Sequence, residues 1–430
     1  MLSLRAIEDT RLDAGWKGVP HRPGLRLGDV SGQGWNLLKG DLPTPVAVLR
    51  QSALDHNSQW MTAFARGAGM ELCPHGKTTM APQLFDRQLR EGAWGVTAAT
   101  SAHIAVYLKH GVRRILHANQ LVGRENIKTV LSLLAEAPGV EFYTLVDSFE
   151  GLHRLFAGLE ETPIGRPLRV LLEIGAPGGR TGVRTNAEAI ALARAIASAS
   201  PRIALHGIEC FEGVYSGRST DDAGKADAVL DAALAAAVAI HDAGLLATSP
   251  ALLSAGGSAF FDLVAQRFGA SGLPEAFTPV LRSGCYLTHD SLHYRRIFEH
   301  IRERSPELAS APGLESALEV WGSVQSRPEA GLVLVNLGKR DISHDIELPI
   351  AELWLPTGSD APPQPVPQDH RVASLADQHL FLAVPHTSPL KVGDLVSFGV
   401  AHPCTTFDKW PLLFVVDDDY RVLSAIRTFF

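Results

Sequence analysis

Short apolar segments alternate with longer segments of helical period between about residues 69 and 290. The short segments have the length and the apolar character of buried parallel strands. There are eight of them: MELC (70–73), GVTA (95–98), RILHA (114–118), EFYTLV (141–146), LRVLLEI (168–174), IALHGIE (203–209), ALLSA (251–255) and TPVLR (278–282). The segments between them are rich in Ala and Leu at helical spacing and begin with capping residues. Eight strand–helix units predict an α/β fold, a closed (β/α)8 barrel of the TIM type.

Beyond residue 290 the pattern changes to β-type runs separated by turn residues, such as HLFLAV and DLVSFGV. These runs predict a second, smaller C-terminal β domain over residues 291–430. The run TPVAVLR at 44–50 also has strand character, but it precedes the eight, and we expect it to pair with the β domain. The barrel is therefore assigned to residues 43–290, and residues 1–42 form an N-terminal extension.

The composition is that of a globular protein with a small-molecule ligand. The 430 residues exceed the roughly 250 of a barrel alone, which agrees with a second domain. Hydrophobic residues make up 46% and charged residues 20%, and the net charge of −7 comes without any run of Lys or Arg. This charge pattern argues against nucleic acid and anionic membranes as partners. No apolar leader is present and the four cysteines show no pairing pattern, so we expect a cytoplasmic protein.

Lys77 lies in ELCPHGKTTM, just past the first predicted barrel strand. Active sites of such barrels form at that end of the strands. A lysine there is suited to bind a carbonyl-bearing cofactor covalently. A lysine in a Pro-Gly turn is also, by default, a solvated surface charge, and the residue alone leaves both interpretations open.

Two glycine-rich loops are predicted at the same end of the barrel. SAGGS (254–258) follows the seventh strand, where barrel enzymes commonly bind phosphate, although a Gly-Gly turn is often only structural. GAPGGRTGVR (175–184) follows the fifth strand and places Arg180 and Thr181 where a planar ring or an anion could approach them. The alternative there is an irregular turn with a solvated arginine.

AHPCTTFDKW (401–410) presents His402 and Cys404 two residues apart. On an extended segment such side chains share one face, so an imidazole and a thiolate could bind one borderline metal such as zinc. A buried cysteine beside a hydrogen-bonded histidine explains the pattern equally well. A third ligand is not evident, and His379 is either a ligand or an ordinary histidine.

Six segments together resemble the D-serine dehydratase and D-threonine aldolase family. They are PHGKT (74–78), TAATSAHIA (97–105), GGRTGVR (178–184), SAGGS (254–258), LRSGCYLTHD (281–290) and HPC (402–404). The family comprises fold-type III enzymes dependent on pyridoxal 5′-phosphate (PLP) and related to alanine racemase. The resemblance extends from about Pro43 to about Val416.

The resemblance implies roles for particular residues. Lys77 is then the lysine that binds PLP, and it is catalytic together with the metal ligands His402 and Cys404. The other implied cofactor contacts are Arg180, Thr181, Ser254, Gly256, Gly257, Ser258 and Tyr286. Aldolase-like members commonly have Asp at the position of Cys404, so the cysteine favours zinc over manganese and a dehydratase over an aldolase. Phe211 and Val214 depart from the Tyr-Glu-Gly-His run that is frequent in related sequences.

The function predicted from the resemblance is a PLP- and zinc-dependent ammonia-lyase acting on a β-hydroxy D-amino acid such as D-serine or D-3-hydroxyaspartate. The alternative is a metal-dependent D-threonine aldolase that uses the same site. A non-enzymatic PLP carrier protein is disfavoured, because it needs neither the β domain nor the HPC segment. The resemblance also implies a homodimer.

Overall fold

The N-terminal part of the chain leads into the barrel through one strand and one long helix. The structure is a computed structural model that describes residues 1–217, 219–269 and 275–430. Helix α1 (Arg5–Glu8), strand β1 (Val46–Arg50) and helix α2 (Gln51–Gly67) precede the barrel. The α2 helix packs with Trp60 and Phe64 against Phe261 and Phe298 of later helices. It thus covers the outside of the barrel.

Eight parallel strands alternate with eight helices in the central domain. The strands are β2 (Glu71–Leu72), β3 (Val96–Ala98), β4 (Arg114–Gln120), β5 (Glu141–Val146), β6 (Leu168–Ile174), β7 (Ile203–Cys210), β8 (Ala251–Ala255) and β9 (Phe277–Leu281). The helices are α3 (Pro82–Arg90), α4 (Ser101–Lys109), α5 (Arg124–Glu136), α6 (Phe149–Glu161), α7 (Asn186–Ser198), α8 (Thr220–Asp242), α9 (Phe261–Phe268) and α10 (His293–Arg304). The predicted fold class is confirmed, and each predicted strand overlaps an observed one.

The barrel closes between its shortest strands. The sheet order runs β2-β9-β8-β7-β6-β5-β4-β3. The remaining gap is bridged by the Trp94 amide, which donates to the Leu72 carbonyl at 2.7 Å, and by the Thr97 amide, which donates to the Pro74 carbonyl at 2.9 Å. Inside the barrel lies a separate apolar cluster of Cys73, Leu116, Tyr143, Leu145, Leu171, Leu252 and Val280. The interior of the barrel is thus a packed core, and a ligand could bind only at the mouth.

Helix α10 changes the expected domain boundary. It follows β9 and completes the eighth strand–helix unit, with Ile297, Phe298 and Ile301 buried. The boundary expected at 290/291 therefore falls before the last helix of the barrel. The sequence HYRRIFEHIRER is rich in charge, and the apolar stripe that packs this helix on the barrel is too narrow to stand out in the sequence.

Ten strands form the second sheet of the described residues. Its strands are β1 together with β10 (Leu318–Glu329), β11 (Leu332–Val335), β12 (Ile350–Leu355), β13 (Gln364–Pro365), β14 (Arg371–Leu375), β15 (Leu380–Ala383), β16 (Leu395–Gly399), β17 (Leu412–Val416) and β18 (Val422–Arg427). The β1 strand lies antiparallel to β10 and parallel to β17. The short helix α11 (Pro403–Phe407) connects β16 to β17.

Residues 1–42 form a layer on this second sheet. Their buried apolar side chains, including Ile7, Val30 and Trp35, share one cluster with Trp321 and Phe414 of the β domain. The Trp35 and Phe414 rings meet edge to face with centroids 6.1 Å apart. The extension therefore completes the core of the β domain.

No helix among the described residues is both long and apolar enough to span a lipid bilayer.

Candidate active site

The lysine turn, residues 75–79, follows β2 at the mouth of the barrel. Lys77 is exposed in a 3₁₀ turn over Gly76–Thr78. Gly76 is required there, because a Cβ atom at this position would clash with the Tyr107 hydroxyl and the Val96 side chain. The His75 amide donates to the Arg282 carbonyl at 3.2 Å and so joins the turn to the end of β9. Packing within the barrel therefore fixes where Lys77 emerges.

Two histidines stay uncharged beside Lys77. Burial and then the Lys77 charge lower the pKa of His103 to about 4, and the same two causes, in that order, lower the pKa of His75 well below its ordinary value. The buried Nδ1 atom of His75 has no hydrogen-bond partner among the described residues. Neutral imidazoles at the mouth can accept or donate a hydrogen bond to a bound molecule without repelling Lys77 as cations.

The SAGGS loop after β8 is occupied by a carboxylate that sequence reasoning missed. The buried Glu212 side chain accepts hydrogen bonds from the Gly256 amide at 3.1 Å and the Gly257 amide at 2.6 Å. The Ser254 hydroxyl donates to the Val280 carbonyl at 3.1 Å and is fully buried. These predicted phosphate contacts thus have protein partners, whereas Ser258 is half-buried at the end of the loop. Phosphate binding by the loop stays a prediction.

The loop after β6 places Arg180 at the mouth as predicted from its strand position. Its guanidinium lies over the Phe211 ring, 4.5 Å from the centroid, in a cation–π contact. The loop itself is held by Arg184, whose guanidinium donates to the Thr181 carbonyl at 2.6 Å and the Gly182 carbonyl at 2.7 Å. The Phe211 ring therefore packs against the guanidinium of the same loop residue that was expected to contact the cofactor.

Buried charges lie beneath these loops. Thr181 donates its hydroxyl to Glu173 at 2.7 Å, and Gln120 donates to the other oxygen of the same carboxylate. Burial and the neighbouring Glu209 raise the pKa of Glu173 to about 7. Glu209 in turn forms a buried ion pair with Arg282. Thr181 is therefore bound inward to a carboxylate, and its contact with a cofactor stays a prediction.

Tyr286 is directed into the protein. It is 2% exposed, and its hydroxyl accepts a hydrogen bond from the Gln88 side chain at 2.9 Å. Gln88 lies on α3, outside the barrel strands. The Tyr286 hydroxyl therefore has a protein partner, and its contact with the cofactor stays a prediction.

The HPC segment has a different local structure from the one predicted. Residues Pro403–Phe407 form α11, with His402 as the residue before its first turn, so the extended geometry assumed for His402 and Cys404 is wrong. Proline is favourable at the first position of a helix, which explains the difference. His402 Nδ1 lies 2.6 Å from the Asp345 carboxylate, which also accepts from the Thr405 hydroxyl at 2.9 Å.

Cys404 lies against the lysine turn and a second cysteine. Its sulfur is 3.5 Å from Thr78 Oγ1 and 3.6 Å from the sulfur of Cys285. Their mutual hydrogen bond lowers the pKa of Cys285 and raises that of Cys404. Cys285 belongs to the RSGCY segment and lies 119 residues from Cys404 in the chain, so no local motif joins the two cysteines. The turn with His379 is exposed between β14 and β15.

The described residues bring no three His, Cys, Asp or Glu side chains together as a ready metal site. The side chains that could contribute to a metal site nevertheless lie in neighbouring parts of the fold. Asp345 holds one nitrogen of His402, which leaves the other for a ligand bond. Cys404 supplies a sulfur beside the lysine turn.

Comparisons with known proteins agree with this arrangement. Residues 317–416 match the family described as "Putative serine dehydratase domain". A 3-hydroxy-D-aspartate aldolase from Paracoccus denitrificans is 28% identical over 320 residues, which cover 72% of this chain and 76% of that protein.

Solved structures share the fold over nearly the whole chain. D-threonine aldolase from Filomicrobium marinum has a TM-score of 0.75 and 23% identity, covering 92% of this chain and 97% of that one. D-threo-3-hydroxyaspartate dehydratase from Delftia sp. HT23 has a TM-score of 0.71 and 21% identity, covering 92% and 99%. These structures show the fold, and the family model and the Paracoccus relative bear out the resemblance of this chain to the D-serine dehydratase and D-threonine aldolase family.

Proposed function

We propose that the protein is a PLP- and zinc-dependent lyase that removes ammonia from a β-hydroxy D-amino acid, of the D-serine or D-3-hydroxyaspartate type. The observation that carries the proposal is the 3.5 Å contact between the Cys404 sulfur and Thr78 Oγ1, because Thr78 directly follows Lys77. A metal on Cys404 would then lie beside the amine that binds the cofactor.

The mouth of the barrel fits PLP. Lys77 is exposed there, and an amine at the end of a barrel strand can bind the aldehyde of PLP. In the SAGGS loop the Gly256 and Gly257 amides donate to Glu212, so a cofactor phosphate would have to bind the half-buried Ser258 or displace that carboxylate. Arg180 and the neutral His75 and His103 supply further polar contacts for the ring and the substrate.

The HPC segment fits a borderline divalent metal. The Asp345 carboxylate orients His402 through Nδ1, as outer carboxylates do for metal-binding histidines. Cys404 adds a sulfur ligand, which favours zinc over the harder manganese. Few protein ligands leave positions for a substrate oxygen, as in catalytic zinc sites.

The chemistry divides between the two domains. When bound, PLP delocalises the negative charge that develops at the substrate Cα, and zinc polarises the β-hydroxyl. Lys77 is the amine placed to remove the α-proton once the substrate amine has displaced it. His402 and Cys404 would hold the metal beside the lysine turn, where it would polarise the departing hydroxyl. Loss of the α-proton and the hydroxyl as water would leave an enamine, and its imine tautomer would take up water to give a 2-oxo acid and ammonia.

An aldolase is the second candidate, and it is favoured by the identity of 28% to the Paracoccus 3-hydroxy-D-aspartate aldolase. The same metal would hold the β-hydroxyl, but a base would remove its proton and the Cα–Cβ bond would break. The neutral His103 near Lys77 is a candidate for this base.

Product analysis separates the two reactions. The holoenzyme is incubated with D-serine, D-threonine, D-3-hydroxyaspartate and D-phenylserine, and their L-enantiomers serve as controls. We expect ammonia and a 2-oxo acid in equal amounts from the D-substrates. Glycine and an aldehyde would establish the aldolase, and no turnover of any of them would contradict both candidates. We further propose a homodimer, which sedimentation of the holoenzyme tests directly.

A further inference from the structure

Three polar atoms from different parts of the chain form a nearly equilateral triangle at the junction of the domains. The sulfurs of Cys285 and Cys404 are 3.6 Å apart, and Thr78 Oγ1 lies 3.5 Å from each of them. Cys285 is contributed by the turn after β9, Cys404 by α11 and Thr78 by the lysine turn. The proposed function assigns no role to Cys285.

The edge of this triangle matches the geometry of a tetrahedral metal. Two sulfurs bound to zinc at about 2.3 Å with a tetrahedral angle lie about 3.8 Å apart. The observed separation of 3.6 Å is far longer than the roughly 2.05 Å of a disulfide. The two sulfurs are therefore spaced to share one ion with little movement of either side chain.

We propose that Cys285 is a second thiolate ligand of the metal, beside Cys404, with the Thr78 hydroxyl turned to the same ion or to its sulfurs. Two thiolates neutralise a divalent cation, which suits a site where Cys285 is buried and Cys404 is half-buried. They also select zinc or another thiophilic ion over a hard one. This proposal rests on the proposed function only for the presence of a metal.

A metal bound by both Cys285 and Cys404 would link the barrel to the β domain. Cys285 lies at the end of the barrel, and Cys404 lies in the β domain. His402 is not part of a preassembled group of three ligands in the described residues, and its ring is turned towards Asp345. The thiol pair is thus the preformed part of the site, and His402 would complete it when the ion binds.

Counting the sulfur atoms around the metal tests the proposal without reference to activity. The full-length protein is loaded with one equivalent of zinc, and X-ray absorption at the zinc edge gives the number of sulfur neighbours. We expect two in the unaltered protein and one in both Cys285→Ser and Cys285→Ala. The affinity of both variants for zinc, measured by competition with a chelator, should fall by more than about 100-fold. Loss of a residue that only hydrogen-bonds to a ligand lowers the affinity by about 100-fold at most.

The matched control is Cys73→Ser, since that cysteine is buried in the barrel interior and a serine there can bond to Thr97 as the thiol does. It should keep two sulfurs on zinc. One sulfur in the unaltered protein, an unchanged count in both Cys285 variants, or no zinc bound at all would each overturn the proposal. Two sulfurs without any lyase or aldolase turnover would leave it standing and remove the proposed function.

Discussion

The lysine turn and helix α11 carry the two halves of the proposed chemistry, but they are held in place differently. The neighbours of the lysine turn come mostly from the barrel: Gly76 packs on Tyr107, and the backbone of His75 joins β9. The contacts of α11 come from both domains, with Asp345 on one side and Thr78 on the other. We infer that cofactor binding is a property of the barrel, whereas metal binding depends on the junction.

The largest expected effect is at Lys77. Lys77→Ala removes the amine that binds PLP and takes the α-proton, so turnover should fall by about 10⁴-fold or more. Zinc content should not change, because α11 is held by other contacts. Steady-state rates and elemental analysis measure the two properties. Lys128→Ala, on the exposed face of α5, is the control, and loss of zinc from Lys77→Ala would contradict the separation of the two sites.

Removal of the metal should stop only one half of the reaction. Chelation should abolish elimination, because the β-hydroxyl loses its Lewis acid, while the visible spectrum of PLP stays. Exchange of the substrate α-proton with deuterated solvent should continue, since it depends on Lys77. Nuclear magnetic resonance of the substrate follows this exchange. The metal mechanism would be contradicted if protein shown to be metal-free still eliminated water at the original rate.

Asp345 should have a smaller effect of the same kind. Asp345→Asn weakens the contact that orients His402, and the affinity for zinc should fall by about 10- to 100-fold. At saturating zinc the activity should largely return, which a role in folding alone would not produce. Asp377→Asn breaks an exposed pair with Arg340 and serves as the control. An unchanged zinc affinity in Asp345→Asn would exclude the orienting role.

The smallest effect concerns stability and pH. The pKa of Glu173 is raised from 4.5 to about 7 by burial and by Glu209, so the folded state holds this proton more tightly than the unfolded state. Its stabilising contribution is complete below pH 4.5 and is lost as the pH rises to about 7. In Glu173→Gln the free energy of unfolding should fall less over this pH range, by up to about 3 kcal/mol. Urea unfolding from pH 4 to 8 measures it, and parallel pH profiles of both proteins would contradict the assignment.

The sequence predicted the barrel well because its strands are continuous apolar runs, as buried parallel strands must be. The prediction of elements from the sequence failed for two helices, α10 and α11. Helix α10 is too charged to be recognised, and Pro403 was not interpreted as the start of a helix, although proline at the first helical position was an available signal.

The candidate site was predictable only in part. The sequence displays directly that Lys77 and Arg180 follow barrel strands, whereas their proposed roles come from the family resemblance. Glu212, Asp345 and Cys285 do not, because each meets its partner only when distant segments converge: Cys285 and Cys404 are 119 residues apart. Contacts between residues so far apart in the chain produce no motif of fixed spacing in the sequence.

The central claim is that the barrel binds PLP through Lys77, and reduction of the holoenzyme with borohydride tests it most directly. The reductant fixes the cofactor covalently on the amine that holds it, and peptide mapping by mass spectrometry then locates the added mass. The account predicts one labelled peptide, containing PHGKT with the modification on Lys77. Label on another lysine, or protein that takes up no PLP, would contradict it.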